Sequence, residues 1–291
     1  MKFAHLYQAV HFEPWLIEPT AHAAIAALLD RRLAEPLLLG DDGVLARIGI
    51  GKPDGKTDLF GNPLPEMSVA DGVARIPVMG TIGKGLGALE KSCGACSIDD
   101  VQGNVREAMN RPDVKGVLLD VNSPGGTIGG IPETAALIQA CAAAKPVVSY
   151  IDGIGGSAAY WLASQATMVM AAPSAKVGSI GVYMPWVDRS RAAEMQGVKV
   201  DVIRNTGGTH KGMGVPGTSL TEAQRAHLQE QVDELFGMFK GSVLAARPNV
   251  AADALTGKTF LAATALGKGL SDDTGDYARA EATLRALAGL R

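Results

Sequence analysis

The sequence predicts an α/β protein with largely parallel strands and helices covering both faces of the sheet. Three observations predict it. After Val69, short apolar runs alternate with helical stretches. Two of those runs, residues 114–121 (VKGVLLDV) and 147–151, have the near-continuous apolar character of strands buried on both faces. Each of the two is followed directly by a Gly-rich turn, as strand-to-helix connections often are.

The elements follow in order. Residues 20–33 read as a helix with Ile25, Leu28, Leu29 and Leu33 on one face. Residues 49–67 (GIGKPDGKTDLFGNPLPEM) are dense in Gly and Pro and read as a linker. The expected division is therefore an N-terminal appendage and linker over 1–66 and one domain over 67–291. Within that domain, 73–79 is a strand and 98–109 a helix, with Asp99 and Asp100 suited to its positive N-terminal end. A strand at 114–121, an Ala-rich helix at 132–144 and a strand at 147–151 come next. They are followed by a helix at 157–165, strands at 168–171 and 179–183, a helix at 187–196 and a strand at 199–203. The longest helix runs from Thr221 to about Ala246, with Thr221 and Gln224 as a capping box. Its apolar stripe of Leu228, Val232, Leu235, Phe236, Phe239 and Val243 reads as core or subunit interface.

Composition narrows the function classes. The 291 residues carry 27 basic and 30 acidic side chains, a formal charge of −3, which offers no basic excess for a phosphate backbone. No nucleic-acid partner is expected. Apolar stretches break well short of the ~20 residues of a bilayer crossing, and the first residues lack a secretory pattern. A soluble protein made in a cytoplasm, with no membrane span, is the expectation. Three cysteines, Cys93, Cys96 and Cys141, are too few and too odd in number for a disulfide framework. Cys93-Gly-Ala-Cys96 lacks the second pair that a zinc site needs, so it reads as structural or incidental. No metal and no organic cofactor are implied.

Four Gly clusters compete as sites. Gly49-Ile-Gly-Lys52 fails as a phosphate loop, because Ala46 and Pro53 stand where Gly and Ser or Thr are needed. Gly83-Lys-Gly-Leu-Gly87 lacks the last Gly and the immediate long helix of a dinucleotide site. Asn122-Ser-Pro-Gly-Gly126, closing the strand 114–121, can leave backbone N–H groups pointing into a cleft. Gly153-Ile-Gly-Gly-Ser157 opens a helix after the strand 147–151. It places a hydroxyl where free amides and the helix dipole favour negative charge. Ser157 could equally be a plain helix cap. Two such loops at the same ends of parallel strands, where ligands bind in open α/β sheets, together supply a nucleophile and oxyanion donors.

A serine nucleophile needs a base. Of the five histidines, only His210 lies in a suitable loop, beside Lys211 in the Gly-rich stretch 206–214. A lysine held neutral by burial can serve as well. The residues leave that choice open.

The motifs resemble the signal peptide peptidase A type of serine peptidase, whose members include bacterial membrane enzymes and head maturation proteases of tailed bacteriophages. The resemblance covers about residues 70–275. It rests on Asn122-Ser-Pro-Gly-Gly126, Gly-Gly-Ser157-Ala-Ala-Tyr-Trp-Leu-Ala163, Val177-Gly-Ser-Ile-Gly-Val182, Thr209-His-Lys211-Gly-Met-Gly214 with Leu220-Thr-Glu222, and Leu255-Thr-Gly-Lys-Thr-Phe260 with Ala265-Leu-Gly-Lys-Gly-Leu270. It implies a Clp-protease/crotonase-like fold of repeated β-β-α units and a Ser–Lys dyad. Ser157 is then the nucleophile, Lys211 the general base and Ser179 the serine that orients the lysine. Gly126 and Ala158 give oxyanion amides, with Gly125 shaping the turn.

The resemblance further implies a ring of like subunits, in which Ser157 and Lys211 can come from different protomers. Of its branches, the phage or prophage capsid-maturation protease acting on scaffold and capsid segments is favoured. A soluble bacterial peptidase that degrades signal peptides is the alternative. Two readings from other classes stay in view: a crotonase-like acyl-CoA enzyme and an inactive structural head component. The first lacks an acidic residue in the two Gly-rich turns, and the second sits poorly with Ser157, Ser179 and Lys211 together.

Overall fold

The computed structural model describes residues 14–34, 54–58 and 60–291. The Gly49–Lys52 stretch and the side chains of Leu28, Leu29 and Leu33 lie outside the described residues. Chain order is β1 (Trp15–Ile17), α1 (Pro19–Ala34), β2 (Ser68–Ala70), β3 (Val73–Met79), β4 (Ile82–Gly83), α2 (Ala88–Ser92), β5 (Cys96–Ser97) and α3 (Ile98–Asn110). Then come β6 (Gly116–Ser123), β7 (Gly125–Thr127), α4 (Ile131–Ala144), β8 (Val147–Gly156), α5 (Ala158–Ser164), β9 (Met168–Ala171), β10 (Lys176–Gly178) and α6 (Ser190–Met195). The chain closes with α7 (Glu222–Ala246), β11 (Thr259–Leu261), α8 (Ala262–Gly267), β12 (Asp273–Thr274) and α9 (Tyr277–Leu287).

The fold is α/β and carries the expected β-β-α repeats. An eight-stranded sheet runs β11-β10-β8-β6-β3-β2, with β9 against β8 and β12 against β9. The central pairs β3–β6 and β6–β8 are parallel. A smaller sheet runs β1-β7-β4-β5. The repeating unit is visible twice, since β3 and β6 each end in the large sheet and are followed by a short strand, β4 or β7, in the small one. Helices then return the chain. Leu118, Leu119, Val148 and Ile151 are fully buried between the layers. Each such side chain contributes about 1.5–3 kcal/mol of burial.

Local chemistry explains the helix ends. Ser97 caps α3 by accepting from the Asp100 N–H, and Asp99 and Asp100 occupy its first turn. Thr221 and Gln224 form the reciprocal capping box expected for α7.

Three expected elements differ. No strand spans 179–183, because Ser179 turns into the left-handed region at φ 55° and donates its N–H to the Lys258 carbonyl at 2.8 Å. The strand expected at 199–203 is irregular and has no ladder partner among the described residues, and Ile203 is 98% exposed. The helix expected over 187–196 shortens to α6. Cys93, Cys96 and Cys141 are free, and burial pushes the Cys96 thiol up to about 12.

Candidate active site

The site begins where β8 passes into α5. Every residue of α5 is buried, including Tyr160, Trp161 and Leu162, as befits a helix apolar all round. Its position is fixed from several sides. Trp161 stacks on Phe239 of α7 at 4.7 Å between ring centroids and an 8° tilt. The Tyr160 hydroxyl donates to the Leu270 carbonyl at 2.8 Å. Arg247 donates from Nε to the Ser164 carbonyl at 3.2 Å and from Nη2 to the Ala166 carbonyl at 3.0 Å. The same guanidinium pairs with Asp272. A cation at those last carbonyls also complements the negative end of the helix.

Ser157 precedes that helix at φ 53° and ψ −117°, a strained conformation for a residue with a side chain. Its N–H donates to the Gly178 carbonyl at 2.8 Å, and its carbonyl accepts from the Trp161 N–H at 2.9 Å. The hydroxyl does not cap the helix. It is buried, with Ser157 1% exposed, and finds no hydrogen-bond partner among the described residues. Ser157 is the N-cap residue by position, but its hydroxyl makes no capping bond to the helix.

The second Gly-rich turn lies alongside. β6 ends at Ser123, and after Pro124 the chain enters β7. Gly125 has φ 103° and donates its N–H to the Ser123 hydroxyl at 3.2 Å. A Cβ on Gly125 would stand 3.0 Å from the Ala158 nitrogen and would overlap the Leu16 carbonyl oxygen. A Cβ on Gly126 would overlap the Ile82 carbonyl oxygen. Both positions therefore demand glycine for close backbone approach. Ala158, as the first residue of α5, has an N–H with no acceptor in its own helix.

The structure thus brings Ser157, Ala158, Gly125 and Gly126 together. Ser179 follows β10, whose Gly178 pairs with Gly156 beside Ser157. It lines a cavity of about 460 Å³ with Ile17, Tyr183, Val232, Phe236 and Leu255 among its walls. Lys211 is not brought in. It lies exposed on the turn 206–214, and its side chain makes no hydrogen bond or ion pair among the described residues. That turn is tied to α7: the Gln224 side chain donates to the Thr209 carbonyl at 3.0 Å, and the His210 and His227 rings meet edge-on at 5.0 Å.

Sequence reasoning missed the residues that cover the site. β1 pairs antiparallel with β7, placing Leu16 opposite Gly126 and Ile17 opposite Gly125. On its other side Trp15 exchanges backbone bonds with Tyr183, at 2.8 and 3.3 Å. The signal was slight: three apolar residues between Pro14 and Pro19. Among the described residues no three His, Cys, Asp or Glu side chains gather as a metal site. No helix of theirs is long and apolar enough to cross a membrane.

A strained serine thus stands at a strand-to-helix corner, beside the glycine turn of a neighbouring strand. The profile of peptidase family S49 matches residues 139–291, and the chain belongs to that family. It is 29% identical over 281 residues to the head-tail preconnector protein GP5 of Enterobacteria phage P21, covering 93% of this chain and 54% of that protein. It is 33% identical over 177 residues to the capsid assembly protease C of Escherichia phage lambda, covering 61% of this chain and 40% of that one. The chain thus spans about half the length of these relatives or less. Among solved structures, a membrane-bound stomatin-specific protease matches with a TM-score of 0.42 and 13% identity, covering 73% of this chain and 84% of that one.

Proposed function

We propose that the protein is a serine endopeptidase in which Ser157 attacks a peptide carbonyl and Lys211 acts as general base. The observation that carries this reading is Ser157 itself, with its strained backbone and buried, unpartnered hydroxyl beside the Ala158 N–H and the Gly125–Gly126 turn. Neutral Lys211 takes the serine proton, and Ser179 orients the amine. The tetrahedral oxyanion is held by amides at Gly126 and Ala158, with Gly125 shaping their turn, and the lysine then protonates the leaving amine. Water hydrolyses the acyl-enzyme through the same base.

The exposed, unpartnered Lys211 favours a dyad completed between subunits of a ring. The apolar stretch preceding it points the same way, since Met195 is 82% and Val198 49% exposed. A surface of that kind is the mark of an interface. The phage relatives support capsid and scaffold segments as substrates, in the manner of a capsid-maturation protease.

The test is a serine-directed fluorophosphonate probe on the purified protein, with Ser157→Ala and Lys211→Ala alongside. Wild type labels, Ser157→Ala does not, and Lys211→Ala labels at least 100-fold more slowly, within the usual range for loss of a general base. Undiminished labelling of Lys211→Ala removes the lysine from the mechanism.

A further inference from the structure

The slot occupied by β1 has the geometry of a peptide-binding channel. β7 forms one edge and the backbone at Tyr183 the other, and Trp15–Ile17 runs between them, in a ladder with β7 and through the Trp15–Tyr183 bridge on the other side. Such pairing uses main-chain groups and so accepts an extended chain of many sequences. The occupant's carbonyl at Leu16 fills the space against Gly125 that also borders the Ala158 nitrogen. Leu16 points into the main core and is fully buried, while Trp15 and Ile17 point the other way, under α1. A substrate chain in antiparallel register with β7 would need this same space.

We propose that Trp15–Ile17 is a tethered occupant of the peptide cleft, which α1 holds over the Ser157 turn and which an incoming substrate segment must displace. This rests on the reading of Ser157 as nucleophile. The displacing segment is extended and places an aliphatic side chain in the pocket that Leu16 fills.

Several observations make the occupant a removable one. Its two outward residues and α1 form a small cluster with Ala21, Ile25, Ala26 and Tyr183, separate from the main core. Elements with few buried contacts are the first to open. The Tyr183 hydroxyl is buried with no hydrogen-bond partner among the described residues. Lifting the segment would return that hydroxyl to water, which favours opening. Ser157 is 1% exposed with the slot filled, and on this proposal emptying the slot opens the way to it. The cavity lined by Ile17, Ser179 and Val232 continues the slot beyond the occupant, leaving room for a longer chain than β1.

The test uses the full chain carrying Trp15→Cys and Tyr183→Cys, with the exposed Cys93 replaced by Ser. Residues that exchange both backbone bonds across an antiparallel pair stand about 5.5 Å apart at Cα, within the range a disulfide spans. Oxidation then locks the strand in place. Labelling of Ser157 by the fluorophosphonate is expected to fall at least 10-fold on oxidation and to recover on reduction. A second variant, Leu16→Glu, puts a charge into the buried pocket and drives the strand out. It is expected to label faster than wild type and to become sensitive to trypsin between residues 19 and 34, with its thermal unfolding still cooperative. Equal labelling in the oxidised and reduced forms, with Ser157→Ala silent, overturns the tethered occupant and leaves the peptidase reading standing. A Ser157 that labels in no variant or redox state overturns the nucleophile and the occupant together.

Discussion

Ser157 and Ser179 both hold positive φ, at 53° and 55°, where residues with side chains are strained. The cost is on the order of 1–3 kcal/mol each. It is borne by the bonds that fix them: Ser157 N–H to Gly178 and Ser179 N–H to Lys258, each at 2.8 Å. A different residue sets a pH dependence. Asp120 of β6 is partly buried, and burial first, then the charge of Asp152, raises its carboxyl above the ordinary aspartate value. A raised carboxyl favours the neutral form in the folded state. Its ionisation therefore weakens the fold as pH rises through the folded value, and the penalty vanishes below the unfolded one. Asp120→Asn should raise the thermal midpoint at about pH 8 and progressively less towards about pH 4, as read by thermal unfolding across that range. At this scale Ser157 was legible in the sequence, because Gly-Gly-Ser directly after an apolar run announces a hydroxyl at a strand-to-helix corner. Lys211 was not legible from residue chemistry alone: a lysine among glycines on a polar turn has no local feature that separates a base from a solvated side chain.

At the scale of elements, α7 secures α5. Its buried apolar residues Phe239 and Val243 lie in the C-terminal half, and Phe239 stacks on Trp161. Phe239→Ala should cost about 3–5 kcal/mol in denaturant unfolding. Labelling at Ser157 should slow as well, since the helix that begins beside Ser157 loses its backing. The strands β3, β6, β8 and β9 of the large sheet were readable because they are mostly buried and mostly apolar, whereas β2, β10, β11 and β12 are two or three residues long and partly exposed and carried no such signal. Residues 179–183 and 199–203 carry similar composition but no ladder. In the first the chain turns at Ser179; in the second the apolar residues stay on the surface, Ile203 at 98% exposure. Periodicity reports a preference for burial, and it cannot say which chain supplies the cover. β1 escaped for the opposite reason, since three residues are too short to show a period.

For the whole molecule, the proposed pairing of a buried serine with an exposed lysine makes assembly the decisive variable. If subunits share the dyad, mixing Ser157→Ala with Lys211→Ala in equal amounts restores labelling to about one quarter of wild type. Random head-to-tail assembly leaves that fraction of interfaces with both groups intact. Labelling restored only by heterologous mixing, and measured after co-refolding, establishes sharing; silence in every mixture places both groups in one chain. The overall architecture was legible as far as alternating strands and helices carry it. The small sheet was not, because β4, β5 and β7 are only two or three residues long, with glycine in β4 and β7.

The passage from β6 to β7 through the single residue Pro124 has a mechanical consequence. Ser157 leaves the large sheet, whereas Gly125 and Gly126 belong to the small one. The serine proposed as nucleophile, with Ala158 beside it, and the Gly126 amide proposed as the second oxyanion donor thus stand on separate platforms joined at a narrow neck. A slide of one platform by a fraction of an ångström would throw the two out of alignment with every site residue still in place. The contacts between the sheets, far from any reacting atom, act as the adjustment screw of the reaction.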